Sequence, residues 1–245
     1  MKSKHILILG ATSDIGKAMA HAYAKENTKI TLAARSLDHL NPIKSDLEIR
    51  FNVSVDIIEF DALDYKSHIK IVNSIDPVPD VVVCIFGVLG DQEEAQNDWV
   101  QASKIMETNY IGATSILEGF AKRMILQNKG VIVGISSVAG DRGRQSNYFY
   151  GSSKAAFTSY LSGLRNRLFK EKIHVLTVKP GFVKTKMTEG LDLPPLLTAS
   201  PEQVASAIKR AVEKRKNSIY VLPIWRLIMF VIRAIPESIF KRLKL

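Results

Sequence analysis

The sequence predicts one α/β domain built on a doubly wound parallel sheet, followed by an apolar and basic helical tail. Short apolar runs, which are typical of buried strands, alternate along the chain with stretches of helical periodicity. With 245 residues, 46% of them hydrophobic, the chain can bury one sizeable core. We place the main domain at 1–223 and the tail at 224–245.

The strands and helices follow one another in the order that a doubly wound sheet requires. The first strand, 5–9, precedes a helix at 17–24. The later elements are strands at 30–34, 53–60, 81–86, 130–136 and 173–178, and helices at 66–74, 98–126, 148–170 and 202–216. Residues 182–200 contain two adjacent prolines and little periodicity, and they form either a mobile lid over a substrate or a plain connector.

The loop between the first strand and the first helix has the features of a phosphate site. Gly10 and Gly16 allow a tight turn and close helix packing, so that the helix N-terminus faces a pyrophosphate. Asp14 stands where a middle glycine normally lets phosphate approach, and we interpret it as a helix N-cap. The predicted dinucleotide contacts in this loop are Gly10, Thr12, Ser13, Asp14, Ile15 and Gly16. The alternative is an ordinary glycine-rich connection between a strand and a helix.

The end of the second strand indicates which dinucleotide is preferred. An NAD site would carry Asp or Glu here to hold the ribose 2′-hydroxyl, whereas this chain has Arg35 and Ser36. The planar guanidinium of Arg35 can pair with a 2′-phosphate, so we predict NADP(H) as cofactor. A solvated surface arginine is the alternative.

Three residues have the spacing of a proton-transfer site. Tyr150 and Lys154 lie four residues apart on one helical face, so the lysine cation can lower the pKa of the phenol. Ser137, thirteen residues earlier, can donate a hydrogen bond to an oxygen on which charge develops. The three residues together predict a site that protonates a carbonyl oxygen while its carbon receives a hydride. No metal site is expected.

These motifs, in this order, resemble the short-chain dehydrogenase/reductase family over almost the whole chain. The resemblance implies a Rossmann-like fold and an NADP-dependent reductase. It assigns Asn109 to the catalytic set as the holder of a relay water, and Asp61 and Ala62 to the adenine contact. It assigns the nicotinamide end of the cofactor to Tyr150, Lys154, Pro180, Gly181, Val183 and Thr185. It also implies homodimers or homotetramers formed through the long helices.

One motif departs from the family pattern. Residues 84–87 are Cys-Ile-Phe-Gly, where the family usually has Asn-Asn-Ala-Gly. Gly87 is therefore retained as a cofactor contact, while the asparagine side chains that brace the sheet are missing. Cys84 is the only cysteine, so no intramolecular disulfide can form, and we expect a buried, unreactive thiol.

A closer resemblance lies with a subgroup of this family, the reductases of decaprenylphosphoryl-ribose epimerisation. It rests on residues 60–64, 86–91, 136–142 and 235–240. It implies reduction of a 2-keto sugar on a polyprenyl phosphate, in synthesis of a cell-envelope glycan precursor, and leaves open whether a partner oxidase supplies the ketone. A reductase of a soluble ketone or 3-oxoacyl substrate is one alternative, and a non-catalytic NADP-binding scaffold or sensor is another.

The tail carries much of the chain's positive charge. The formal net charge is +10, and residues 201–245 contain ten Lys and Arg against three Glu. The apolar run 224–235 is too short to span a bilayer, but it can lie on one. Arg226 and Arg233 share a helical face, and the predicted apolar area comprises Trp225, Leu227, Ile228, Met229, Phe230 and Ile232. We predict contact with an anionic membrane surface or a polyprenyl phosphate.

The alternative for the tail is a helix packed over the substrate pocket or into an oligomer interface. No recognisable nucleic-acid module accompanies the basic residues, so we expect no nucleic-acid partner. The first apolar run is too short for a signal peptide and fits the first strand. We therefore expect a cytoplasmic enzyme, peripheral on the inner face of the membrane if the tail binds lipid.

Overall fold

A parallel sheet forms the centre of the structure, a computed structural model that describes residues 4–26 and 28–243. In this part of the chain the sheet has seven strands, in the order β3-β2-β1-β4-β5-β6-β9. The strands are β1 (His5–Leu9), β2 (Lys29–Ala34), β3 (Val55–Glu59), β4 (Val81–Cys84), β5 (Gly130–Ile135), β6 (Ile173–Lys179) and β9 (Ser218–Tyr220). A separate parallel pair joins β7 (Phe182–Val183) to β8 (Thr198–Ala199). The predicted doubly wound sheet is confirmed.

The helices cover both faces of the sheet. They are α1 (Asp14–Ala24), α2 (Leu37–Phe51), α3 (Tyr65–Ser74), α4 (Gln92–Asn97), α5 (Trp99–Met106), α6 (Ala113–Leu126), α7 (Tyr148–Leu168), α8 (Pro201–Glu213), α9 (Ile224–Ala234) and α10 (Glu237–Phe240). Because side chains alternate along a strand, Ile6 and Ile8 pack with α1, α2 and α8, while Leu7 and Leu9 pack with α3, α6 and α7. Each face of the sheet therefore has its own apolar cluster.

Several elements differ from the sequence prediction. Helix α1 begins at Asp14 rather than at Lys17, and the predicted helix 98–126 is interrupted by a π-helical segment, Glu107–Gly112. Helix α2 and strand β9 were not predicted. Helix α2 buries only Leu40 and Leu47 and contains a proline, so its periodic signal is weak, and β9 has only three residues.

The tail is packed against the rest of the fold along one side of α9. Trp225 and Met229 are buried in an apolar cluster with Val138, and Trp225 Nε1 donates to the carbonyl oxygen of Leu197 at 3.0 Å. None of the described helices is long and apolar enough to cross a membrane. The last two residues of the predicted tail, Lys244 and Leu245, lie outside the described residues, as do 1–3 and 27 of the predicted main domain.

This burial corrects part of the predicted membrane face. Trp225 and Met229 cannot offer surface to a lipid, and Ile228 and Ile232 pack against the same cluster. Leu227 and Phe230 remain exposed. The sequence pattern cannot separate these faces because α9 is apolar on most of its circumference. The predicted alternative, a helix packed over the pocket, describes its inner face.

Candidate active site

Ser137, Tyr150 and Lys154 line one cavity of about 190 Å³ at the carboxyl edge of the sheet. Ser137 follows the end of β5 by two residues, and the other two side chains come from the first turns of α7. Ser136 joins the two elements, because its hydroxyl donates to the carbonyl oxygen of Lys154 at 2.9 Å. A larger groove of about 1050 Å³ beside residues 184–203 contains none of the three.

Lys154 is buried and held by the end of β5. Its Nζ donates to the carbonyl oxygen of Ile135 at 3.0 Å and lies 5.7 Å from the centroid of the Tyr150 ring. Burial lowers the pKa of Lys154 to about 8, because the cation loses solvation by water. The ammonium form therefore still predominates at pH 7.

The pKa of Tyr150 is raised, because burial disfavours the phenolate, while the hydrogen bond with Ser137 acts in the opposite direction. The four-residue spacing of Tyr150 and Lys154 predicts that the lysine cation lowers the pKa of the phenol. That prediction is wrong for the net effect, since burial of the phenol outweighs the stabilising contacts. Tyr150 is consequently held in its protonated form, which is the form that a general acid needs.

Asn109 lies in the π-helical segment and is fully engaged by the protein. Its Oδ1 accepts from the backbone N–H of Val88 at 2.8 Å, and its Nδ2 donates to the Val88 carbonyl oxygen at 2.7 Å and to Ser153 Oγ at 3.1 Å. The side chain therefore ties the segment after β4 to α7. Its role in holding a relay water stays a prediction.

Gly87 is placed where no side chain fits. A Cβ at this position would lie 2.7 Å from Asn109 Oδ1 and 3.2 Å from Lys154 Nζ. The two missing asparagines of this motif are replaced by apolar packing, because Cys84 and Ile85, which stand in their places, are buried in the apolar clusters on the two faces of the sheet. Burial raises the pKa of the Cys84 thiol to about 12, as expected of an unreactive cysteine.

The glycine loop forms a tight turn capped by Ser13. Ser13 Oγ accepts from the backbone N–H of Gly16 at 3.1 Å and donates to the Gly10 carbonyl oxygen at 2.8 Å. The N-cap is therefore Ser13, and the prediction that Asp14 caps the helix is wrong. Asp14 is the first helical residue, and its Oδ2 accepts from the backbone N–H of Lys186 at 2.8 Å. This contact turns the carboxylate towards the 182–200 segment.

A second cavity, of about 270 Å³, continues from the glycine loop to the catalytic cavity. The two cavities share Ile85, Gly87 and Met187. Of the predicted cofactor residues, the second cavity is lined by Gly10, Thr12, Ser13, Arg35, Asp61, Ala62 and Gly87. The catalytic cavity is lined by Ile15, Gly87, Tyr150, Lys154, Pro180, Gly181, Val183 and Thr185.

Three predicted cofactor residues line neither cavity. Gly16 packs inside the turn, where a Cβ would lie 2.6 Å from the Gly10 carbonyl oxygen. Asp14 faces the groove beside the 182–200 segment. Ser36 is the residue before α2, with no side-chain hydrogen bond at the helix start.

The cavities also include residues that the sequence analysis missed. Lys104 and Thr108 line the second cavity, and their four-residue spacing in a predicted helix could have indicated a shared face. Arg144 and Asn147 line the catalytic cavity, and their position between Ser137 and Tyr150 was the available signal. Trp225 also reaches this cavity from α9, in keeping with the alternative that the tail packs over the substrate pocket.

Known proteins are similar to this chain in sequence over most of its length. Residues 4–194 match the family model described as short chain dehydrogenase. An uncharacterised oxidoreductase of Mycobacterium tuberculosis is 35% identical over 242 residues, which cover 97% of this chain and 96% of the relative. The NADP-dependent 3-hydroxy acid dehydrogenase of Schizosaccharomyces pombe is 29% identical over 237 residues, with 89% and 90% coverage.

Solved structures share the fold across nearly the whole chain. A short-chain dehydrogenase from Sphingobium yanoikuyae in complex with NADPH has a TM-score of 0.82 at 21% identity, covering 96% of this chain and 97% of its own. A short-chain dehydrogenase from Burkholderia cenocepacia in complex with NADP has a TM-score of 0.83 at 19% identity, with 98% and 97% coverage. On its sequence match and its fold, the chain belongs to the short-chain dehydrogenase/reductase family of oxidoreductases.

Proposed function

We propose that this protein is an NADPH-dependent reductase that converts a ketone to a secondary alcohol. The observation that carries the proposal is the shared cavity wall: Gly87 borders both the cavity with Ser137, Tyr150 and Lys154 and the cavity with the glycine loop and Arg35. A nicotinamide cofactor lying along both cavities would reach the proton-donating groups. The neighbours solved with NADPH or NADP support the same cofactor.

The residues present fit NADP(H). A Cβ on Gly10 would lie 2.7 Å from the backbone nitrogen of Phe86, so only glycine keeps this turn open beside the helix N-terminus, which favours phosphate. Arg35 is exposed at the end of β2, where a guanidinium can pair with a 2′-phosphate. When bound, the cofactor supplies the hydride that the ketone carbon receives.

The protein's own residues supply and stabilise the proton. Tyr150, held protonated by burial, donates its phenolic proton to the ketone oxygen. Ser137 donates a hydrogen bond to the same oxygen, and the Lys154 cation stabilises the phenolate left behind. One donor of the Lys154 ammonium is held by Ile135, which leaves two for the phenolate and a cofactor ribose.

For the substrate we propose a 2-keto sugar carried on a polyprenyl phosphate. The motif resemblance described above supports this choice, and so does the apolar wall of the catalytic cavity, where Phe182, Met187, Leu191 and Trp225 can contact a lipid chain. A partner oxidase would supply the ketone. Oxidation of the corresponding alcohol would yield the ketone that this enzyme reduces.

We also propose that α9 rests on an anionic membrane surface. Ile224, Leu227, Phe230 and Val231 are exposed on its outer side, and the basic Arg226 and Arg233 lie along one edge. The inner side of the same helix carries Trp225 into the catalytic cavity. A lipid-linked substrate could therefore pass from the membrane to the cavity along one helix, with the enzyme on the cytoplasmic face.

The function is tested by following NADPH oxidation at 340 nm with farnesylphosphoryl-2-keto-ribose. We expect turnover that requires both NADPH and the 2-keto group, with the arabino sugar as product. A soluble substrate is the second candidate, because one relative is named as a 3-hydroxy acid dehydrogenase. Faster turnover of 3-oxo acids or small ketones than of the lipid-linked sugar would favour that candidate. Tight NADPH binding without turnover of any ketone would contradict the reductase.

A further inference from the structure

Arg144 and Asn147 bring two buried polar atoms without partners to the wall of the catalytic cavity. Among residues 4–26 and 28–243, Arg144 Nε and Asn147 Oδ1 are inaccessible to water and have no hydrogen-bond partner. Leaving such groups unpaired is unfavourable, and more so for a charged group, because each loses its hydrogen bonds with water. Arg144 and Asn147 therefore bring unused hydrogen-bonding capacity to this part of the wall.

The segment around Arg144 is firmly held. Asp141 forms an ion pair with Lys179 and accepts from the Tyr220 hydroxyl at 2.7 Å. Arg142 donates to the carbonyl oxygens of Ile232 and Ile235, each at 2.6 Å, and stacks on Phe240. Arg144 therefore follows a stretch of chain that is anchored to β6, β9 and the tail.

Arg144 has no ion-pair partner in the described part of the chain. Asp141 is the acidic group whose charge it feels, but that carboxylate is already engaged by Lys179 and Tyr220. Burial lowers the pKa of Arg144, and Asp141 acts in the opposite direction. Arginine nevertheless keeps its charge at neutral pH. The cavity therefore contains a partly buried cation without a counter-anion.

We propose that Arg144 forms an oxyanion subsite that selects ketone substrates carrying a phosphate or a carboxylate. This inference rests on the proposed reductase and deepens it, because it names a charged group that the substrate must carry. The planar guanidinium matches the geometry of either oxyanion, with two parallel N–H donors. The phosphate of a polyprenyl-linked sugar is one source of the anion, and an acid substrate is the other.

The subsite is tested by calorimetric titration of the full-length protein, saturated with NADPH so that the cofactor's own phosphate contacts are filled. The probes are octyl phosphate, octanoate and octanol, which are eight-carbon compounds with different head groups. We expect the wild-type protein to bind at least one anion, and Arg144→Met to bind it at least tenfold more weakly. Tighter binding of octyl phosphate would identify phosphate as the source, and tighter binding of octanoate would identify carboxylate.

Two controls separate recognition of the anion from loss of structure. Arg210→Met removes an exposed arginine on α8, away from the catalytic cavity, and should bind like the wild type. Arg144→Lys should recover part of the affinity because it keeps the charge. Octanol affinity should be unchanged in Arg144→Met, which shows that the cavity is intact.

Equal anion affinity of wild type and Arg144→Met, or no anion binding by the wild type, would overturn the subsite. Because binding is measured without turnover, its outcome is independent of the reductase assay. A protein that binds the anion through Arg144 but reduces no ketone keeps the subsite and loses the proposed activity.

Discussion

At the residue scale, burial has more influence than the neighbouring charge on the pKa of the proton donor, Tyr150. The raised pKa of Tyr150 and the lowered pKa of Lys154 have the same first cause, the loss of water around each group. The pair therefore consists of a protonated phenol and an ammonium group that loses its proton more readily than an ordinary lysine. This combination suits donation of a proton in the direction of ketone reduction.

Replacing Tyr150 with Phe should lower kcat by a factor of ~10² to 10⁴, because the proton donor is lost while the ring shape is kept. NADPH affinity, measured by fluorescence titration, should change little. Tyr148→Phe is the matched control, since Tyr148 lies on the same helix but lines neither of the two cavities. Retention of more than a tenth of the native rate would show that Tyr150 is not the acid.

The reduction rate should fall as pH rises through about 8, because the Lys154 ammonium loses its proton and its positive charge there. The sign follows from the lowered pKa: below about 8 the ammonium can stabilise a phenolate, and above it the neutral amine cannot. The measurement is kcat between pH 6 and 10 at saturating NADPH. Lys154→Met should be slow throughout and lack this decline. A wild-type rate that stays constant from pH 7 to 9.5 would contradict the role of the cation.

Arg35→Asp should weaken NADPH binding by ~2 to 4 kcal/mol, because a charge-assisted pair is lost and a carboxylate is placed beside the 2′-phosphate. NADH affinity should fall much less, since NADH lacks that phosphate. Arg210→Asp makes the same charge change far from the glycine loop and serves as control. Unchanged NADPH affinity by fluorescence titration would mean that another residue, such as Lys104 in the same cavity, reads the phosphate.

At the element scale, the sequence predicts an element well where its own run of residues shows a clear pattern. It predicts poorly which face of an element is buried when contacts with distant segments decide this. Strands β1, β2 and β6 are recognisable because nearly every residue is buried. Helix α9 is recognisable as a helix, but its inner face depends on contact with Val138 and the 182–200 segment, which are distant in sequence. The predicted lid role of that segment stays a prediction.

Helix α9 offers a test in which its two faces are changed separately. Leu227→Ser with Phe230→Ser should reduce binding to liposomes of anionic phospholipid, measured by co-sedimentation at low salt, while NADPH binding is kept because both side chains point away from the fold. Added salt should weaken wild-type binding by screening Arg226 and Arg233. Ile49→Ser, an equally exposed change on α2, is the control.

Two results would contradict the membrane role of α9. The wild type could fail to bind anionic liposomes at low salt, or the double variant could bind as well as the wild type. Deleting 224–245 is a poorer test, because it would also remove Trp225 and Met229 from an apolar cluster.

At the scale of the whole molecule, the fold class follows from sequence because strands and helices alternate in a doubly wound sheet, and their hydrophobic residues follow different patterns. The site follows from the fold, since strand ends converge on one edge whatever their separation along the chain. Tyr150 could be found because its four-residue spacing from Lys154 marks a helical face. Arg144 and Asn147 could not be found in this way, because a loop has no regular spacing. The quaternary structure depends instead on which exposed surfaces bind a second copy of the chain.

The exposed start of α5 is the best-supported place for a homodimer or homotetramer contact. Trp99 and Val100 are adjacent large apolar side chains that are 69% and 68% exposed, and α5 packs beside α7, the helix that carries Tyr150. We therefore expect light scattering after size exclusion to give a mass of two or four chains. Trp99→Asp with Val100→Asp should lower that mass, because two charges cannot be buried in an apolar interface.

The Ile49→Ser variant should keep the native mass, and so should Leu227→Ser with Phe230→Ser if α9 faces lipid. If the α9 variant dissociates and the α5 variant does not, the tail is the interface and the membrane proposal loses its surface.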